Sequence, residues 1–390
     1  MIDGCVVVDV DSHWDPPKSG VLGGLGSERV RDIVEAITAD LYRNVPEEAR
    51  PPYTSLVSPT FLELFGQLDT DPMSQGLGAA DVPGRLQWCD QVGIDFQFVN
   101  GGGFTGRELA ITDRDERRRA IQWANNILLD DLDGVADRFA SVSICDASDL
   151  DFALPELERC RGRGSRAFHL RAEPPGGLSY AHPEFDRLWR AATDLGMAPY
   201  LHIGNTPASV AAGWANVPLD EASIPGLLRL AGMSRHQAAE TMLSALTLGG
   251  VFARHPALTV LIAELWTGWI PFLAMRLDQN TLANRKAQSD LMLGAWPHDL
   301  SAGDYLRRNV RVAPLPGVGP DGLPTLRQEP GMIVFSSDYP HLEGSPTPID
   351  AYRPDLDDLE SGVRKAFLGG NIIEVFERMG DPLPVRHPVS

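Results

Sequence analysis

The stretch VVVDVDSHWDPP, residues 6–17, runs an apolar segment into Asp9, Asp11, His13 and Asp15, then into two prolines. The i, i+2 spacing places Asp11 and His13 on one side of an extended chain. Three later apolar runs stop on groups of the same kind: PYLHIG at His202, LTVLIAE at Glu264, and VFSSDYPH at Asp338 followed by His341. Imidazoles and carboxylates that converge suit a divalent transition metal, able to polarise a substrate oxygen or lower the pKa of a bound water. A carboxylate placed straight after a buried strand is costly without a partner, so Glu264 and Asp338 read as members of one site. Asp9 and Asp15 read as turn caps around the prolines.

His169 and Arg171 in AFHLRAEP end another apolar run, and either could face a pocket. Arg171 would suit a substrate carboxylate, thioester or phosphate. His182 and His255 precede prolines at turns, while His236, His298 and His387 fall in segments read as surface helix, loop and tail.

Short apolar runs bounded by turn signals supply the elements that would position these groups. They are Cys5–Val10, Asp95–Val99, Phe139–Cys145, Arg166–Leu170, Ala198–Ile203, Leu258–Ala263, Val310–Ala313 and Met332–Phe335, with segments of helical spacing between most of them. Eight strands alternating with helices predict an α/β fold, a closed parallel (β/α)8 TIM barrel. A doubly wound open sheet is the alternative, but no Gly-rich phosphate loop follows the first run. In a barrel all the strand ends carrying candidate residues open on one face. Residues 1–380 read as a single domain and 381–390 as a tail. Insertions over about 17–84 and 205–250 read as lids after strands one and five, and the Pro/Gly-rich stretch 314–330 as a loop before strand eight.

Composition bounds the partners. With 390 residues, 43% hydrophobic, the chain can bury a large core, and its net charge of −19 disfavours nucleic acid and acidic membranes. No uninterrupted apolar run approaches about 18 residues, and the N-terminus lacks signal-peptide character, so a soluble cytoplasmic protein is expected. Cys5, Cys89, Cys145 and Cys160 form no C-x-x-C pair and read as buried free thiols. The stretch LWTGWIPFLAMRLDQN offers an apolar helical face for the barrel or for a second subunit.

The stretches VVDVDSHWDPP, HPEFDRLWRAATDLGMAPYLHIG, GGVFARHPALTVLIAELWTGWIPFLAMRLD, FSSDYPHLEG and FLGGNIIEVF resemble the amidohydrolase-2 branch of the amidohydrolase superfamily. That branch contains metal-dependent hydrolases and non-oxidative decarboxylases on TIM barrels. The resemblance implies metal-site or catalytic roles for His13, His202 and Asp338. Asp11 stands at the first position of the usual His-x-His, as in related decarboxylases, and Glu264 where hydrolases commonly carry histidine. A carboxylated lysine after strand four is excluded, because the only lysines are Lys18, Lys286 and Lys365. Carboxylates in place of imidazoles harden the ligand set and shift preference from zinc towards iron or manganese.

The resemblance extends to a branch of non-heme di-iron monooxygenases. The leading expectation is therefore a TIM-barrel enzyme holding iron, one ion or two, on Asp11, His13, His202, Glu264, Asp338 and His341. It would hydroxylate a bulky organic or acyl-CoA-type substrate with an external electron donor. The alternatives are hydrolysis of an amide, ester or lactone with Asp338 as base, non-oxidative decarboxylation, and a binding barrel without catalysis.

Overall fold

A computed structural model describes residues 4–14, 82–101, 109, 111–207, 214, 224–283, 296–316, 323–341 and 344–385. Seven parallel strands follow one another in chain order: β1 Val8–His13, β2 Phe96–Asn100, β3 Phe139–Ile144, β4 Ala167–His169, β5 Ala198–His202, β6 Val260–Ala263 and β7 Val310–Val312. The expected eighth strand is present as an irregular segment bonded on both sides. Val312 donates to Met332 O (2.8 Å) and Val334 to Val312 O (3.1 Å), while Val10 donates to Phe335 O (3.1 Å) and Asp338 to Asp11 O (2.9 Å). The segment is irregular because Phe335 N turns away from the ring to the carbonyl of Phe367 (3.0 Å). The sheet thus closes into the TIM barrel.

Strand parity sorts the apolar residues into two layers, as side chains alternate across a strand. Val8, Val10, Phe96, Phe98, Ala140, Val142, Ala167, Ala198, Tyr200, Leu261, Ala263 and Val334 pack together as the barrel interior. Their neighbours Val99, Phe139, Phe168, Leu201 and Ile262 face outward onto helix residues such as Cys89, Leu128, Leu157 and Trp189. These helix residues come from Val82–Val92, Arg114–Asp131, Leu150–Arg161 and Asp186–Asp194. All four cysteines are buried and free, as expected. β1 runs three residues beyond its expected end, because His13 N donates to Tyr339 O (2.6 Å) and Trp14 N to Asn100 O (2.7 Å).

The helix Asn371–Arg378 closes the end of the barrel where the strands begin. Ile372, Val375 and Phe376 join the interior cluster, and Phe376 stacks on Phe98 with ring centroids 5.4 Å apart. Gly369, just before it, lies against the Val6 carbonyl so closely that any Cβ would collide. Arg311 at the start of β7 reaches Glu374 at 2.9 Å.

Among the expected lids, 82–84 begin a helix, Ile224–Leu248 is a helix, and Leu323–Gln328 is a short one. Residues 15–81, 208–213, 215–223 and 317–322 lie outside the described residues, as do Asp15, His387 and residues 386–390 of the expected tail. In Trp269–Ala283 the residues Ile270, Leu273, Ala274 and Leu277 are buried, whereas Phe272 and Met275 are exposed. No described helix is long and apolar enough to cross a membrane.

Truncating a fully buried ring leaves a cavity as well as losing transfer energy. Phe376→Ala should therefore cost about 3–5 kcal/mol of unfolding free energy in a denaturant titration. A loss below about 1 kcal/mol would mean that this helix does not seal the barrel.

Candidate metal centre

The opposite end of the barrel gathers the polar strand ends. β1 pairs Asp9 with Gln97 but Ser12 with Val99, so Val10 and Asp11 together oppose Phe98. This β-bulge changes the parity of the strand. Val8 and Val10 point inward below it, and Asp11 and His13 reach the centre above it. β2 and β5 continue in phase, so Asn100 and Tyr200 also face inward and fix Asp11. Asn100 Nδ2 donates to Asp11 Oδ1 (2.7 Å), and the Tyr200 hydroxyl donates to the same oxygen (2.9 Å).

Glu264 and Asp338 each follow a strand in the left-handed backbone region, with φ of +57° and +53°. Non-glycine residues rarely occupy this region, and such strain concentrates where a side chain must be aimed. It swings both carboxylates over the barrel mouth.

Six residues converge there. His13 Nε2 lies 3.1 Å from Glu264 Oε1, 3.2 Å from Asp338 Oδ1 and 3.5 Å from Asp11 Oδ1. His202 Nε2 is 3.0 Å from Glu264 Oε2 and 3.8 Å from Asp11 Oδ1. His341 Nδ1 is 3.1 Å from Asp338 Oδ1 and 3.4 Å from Glu264 Oε1, and its ring stacks on His13 at 3.7 Å. Two overlapping groups have donor atoms close enough to hold an ion: Asp11, His13, His202 and Glu264, and His13, Glu264, Asp338 and His341.

The electrostatics favour a cation. Burial pushes Asp11 up to about 7 against the pull of His13 and His202. Burial, reinforced by Glu264, holds Asp338 well above the carboxylate range. Burial opposes ionisation of Glu264 too, but His202, His13 and His341 outweigh it and hold Glu264 well below that range. Burial works against a charge on His341, yet Asp338 and Glu264 keep it protonated well above the usual imidazole value. Both Asp338 oxygens and His202 Nε2 are buried without a well-formed hydrogen bond. A divalent ion would satisfy these atoms and offset the crowded negative charge, so the donor set fits one.

The other sequence candidates divide. His169 sits inside the barrel at the end of β4, whereas the Arg171 guanidinium, expected to receive an anionic group, is engaged by Glu173 at 2.6 Å. Asp9 is not a turn cap. It lies within β1, fully buried, and accepts from Gln97 Nε2 (2.7 Å) and Ser337 N (2.9 Å), tying the eighth segment to β1. His182 does cap a turn, its Nδ1 accepting from Glu184 N at 3.2 Å. Three supporting residues escaped the sequence reading: Asn100, Tyr200 and Arg85. The first two share the parity of His13 and His202, a signal available once the strands are aligned. Arg85, buried in the helix Val82–Val92, donates to Ser12 Oγ (3.2 Å) and to the His13 carbonyl, a contact with no local sequence signature.

Metal-free protein should show these costs as a pH dependence. Asp9, raised by burial to about 6, and Asp11, raised to about 7, both exceed the unfolded value of about 3.9. Their contribution is fully present below that value and is lost as pH rises through 6 and 7. The Tm of chelator-treated protein should therefore fall from pH 5 to pH 8, about one unit either side of that window. Manganese should restore more at pH 8, because its ligands must be deprotonated. A metal-free Tm that climbs with pH would refute the assignment.

The amidohydrolase family profile matches residues 91–378. No curated protein sequence matches the chain. Among solved structures, an amidohydrolase from Mycobacterium avium subsp. paratuberculosis superposes with a TM-score of 0.67 at 19% identity, over 96% of this chain and 100% of that one. A 2,6-dihydroxybenzoate decarboxylase from Rhizobium gives 0.61 at 19% identity, over 96% and 99%. A dihydroxybenzoic acid decarboxylase from Polaromonas, holding manganese and 2-nitroresorcinol, gives 0.60 at 18% identity, over 96% and 97%. At such identities the superpositions speak for the fold, and the profile for the family. The chain belongs to the amidohydrolase-2 family of TIM-barrel proteins.

Proposed function

We propose that this chain is a metal-dependent, non-oxidative decarboxylase of a small hydroxylated carboxylic acid, with the ion held among Asp11, His13, His202, Glu264 and Asp338. The observation that carries this reading is the convergence at the open end of the barrel of two overlapping donor groups, Asp11, His13, His202 and Glu264 with His13, Glu264, Asp338 and His341. Oxygen-rich ligand sets favour manganese or iron over zinc. The manganese in the Polaromonas decarboxylase supports that choice of ion, and the Rhizobium and Polaromonas enzymes together support a benzoate-sized acid as substrate.

When bound, the ion supplies Lewis acidity that holds the substrate carboxylate and a neighbouring oxygen. The protein's own groups do the rest. Asn100 and the Tyr200 hydroxyl keep Asp11 turned into the site. His341 holds a proton at Nδ1 between Asp338 and Glu264. At 26% exposure its side chain is the most solvent-accessible in the cluster, so the proton that replaces carbon dioxide on carbon enters there.

The iron monooxygenase reading has weaker support. Its argument was the hardness of the carboxylates, which manganese satisfies equally, and the ligands bound in the solved neighbours are benzoate-sized rather than thioesters. Hydrolysis is the second reading, favoured by the superposition on the Mycobacterium amidohydrolase. There Asp338 would take the proton of the attacking water.

The test is to count manganese, iron and zinc per chain and then assay the manganese-loaded protein on hydroxybenzoates. Carbon dioxide release without oxygen consumption is expected. Cleavage of esters or amides without carbon dioxide would favour hydrolysis, and oxygen uptake on adding reductant would favour the oxygenase. His202→Ala should lose the ion and at least about 100-fold in activity while keeping its far-UV circular dichroism. Full metal content in that variant would displace the proposed ligand set.

A further inference from the structure

His169 stands apart from the six clustered residues. In β4 its neighbour Phe168 faces the outer helices, whereas Ala167 belongs to the barrel interior. His169, two residues beyond Ala167, therefore points inward at the level where the site begins. Its ring meets Tyr200 edge-on at 5.4 Å and His202 at 6.2 Å. It belongs to neither group of donors close enough to share an ion. It is 1% exposed, yet neither Nδ1 nor Nε2 has a hydrogen-bond partner.

Buried imidazoles are normally satisfied, and one with both nitrogens unmet calls for an absent partner. No carboxylate meets either nitrogen, so nothing at this buried ring favours the imidazolium over the neutral form. A neutral imidazole offers one donor and one acceptor. It therefore prefers a hydroxyl, which can both accept and donate, to an ammonium or a second carboxylate.

We infer that His169 is a specificity-determining residue that anchors the substrate through a hydroxyl remote from the metal-binding carboxylate. The inference rests on the metal-bound acid proposed above. His169 acts by contact with substrate and takes no part in holding the ion. A site built to hydrogen-bond a hydroxyl discriminates strongly against the analogue lacking it, because its own buried polar group is then left unmet.

The experiment compares benzoate, 3-hydroxybenzoate and 4-hydroxybenzoate as ligands of the manganese-loaded protein by calorimetry. One hydroxylated isomer should bind at least about tenfold more tightly than benzoate. In His169→Leu that advantage should shrink to within about twofold, with manganese stoichiometry unchanged. The Tm of His169→Leu should hold or rise, because an apolar group of similar size replaces an unsatisfied polar one. His169→Gln, which keeps a donor and an acceptor, should retain part of the preference and serves if the leucine variant does not fold. The inference is overturned if neither isomer outbinds benzoate on the unaltered protein, if the advantage survives both substitutions, or if His169→Leu sheds manganese. Failure of the unaltered protein to bind manganese would instead sink the metal reading on which the inference stands.

Discussion

Three carboxylates, Asp11, Glu264 and Asp338, share one nearly water-free space at the barrel mouth, each at most 4% exposed. Like charges at such range in a low dielectric are expensive, and the three histidines among them offset only part of that cost. The opposed shifts of Asp338 upward and Glu264 downward are what such crowding produces, since the groups do not ionise independently. A cation resolves the conflict. The rest of the architecture can be understood as what it takes to hold this arrangement together.

Two kinds of support do the holding. Backbone irregularity aims the groups: the bulge in β1 and the left-handed residues at Glu264 and Asp338 turn side chains inward that regular strands would place elsewhere. Buried polar contacts then hold the backbone: Asp9 ties Ser337 to β1, and Arg85 clasps Ser12 and the His13 carbonyl from the helix outside. The stable part of the molecule lies at the opposite end, where Phe376 and its neighbours fill the interior. Packing at one end thus carries electrostatic strain at the other.

Much of this was legible in the sequence. The apolar runs located each regular strand to within about three residues, since buried strands read as continuous hydrophobic segments. The polar residues at their ends named all six members of the cluster. What could not be read was orientation. Asp11 appears two residues before His13 in either parity, and only the pairing of Asp9 with Gln97 and Ser12 with Val99 reveals the extra residue between. Arg171 looked suited to an anionic group, but the local Glu173 claims it. Asn100 and Tyr200 matter only through their register with Asp11, a long-range property that one strand's residues do not carry. Iron was inferred from ligand hardness, a property that does not separate neighbouring metals.

The bulge in β1 works as a frame shift. Below it the strand is read in one frame, with Val8 and Val10 filling the interior; above it, in the other, with Asp11 and His13 facing the mouth. The two halves of the strand are thereby uncoupled. Interior volume can drift by exchange of one aliphatic residue for another without rotating the ligands. Loss of a single residue at Val10 or Asp11 would leave composition and apolar pattern almost untouched, yet turn His13 outward towards Arg85.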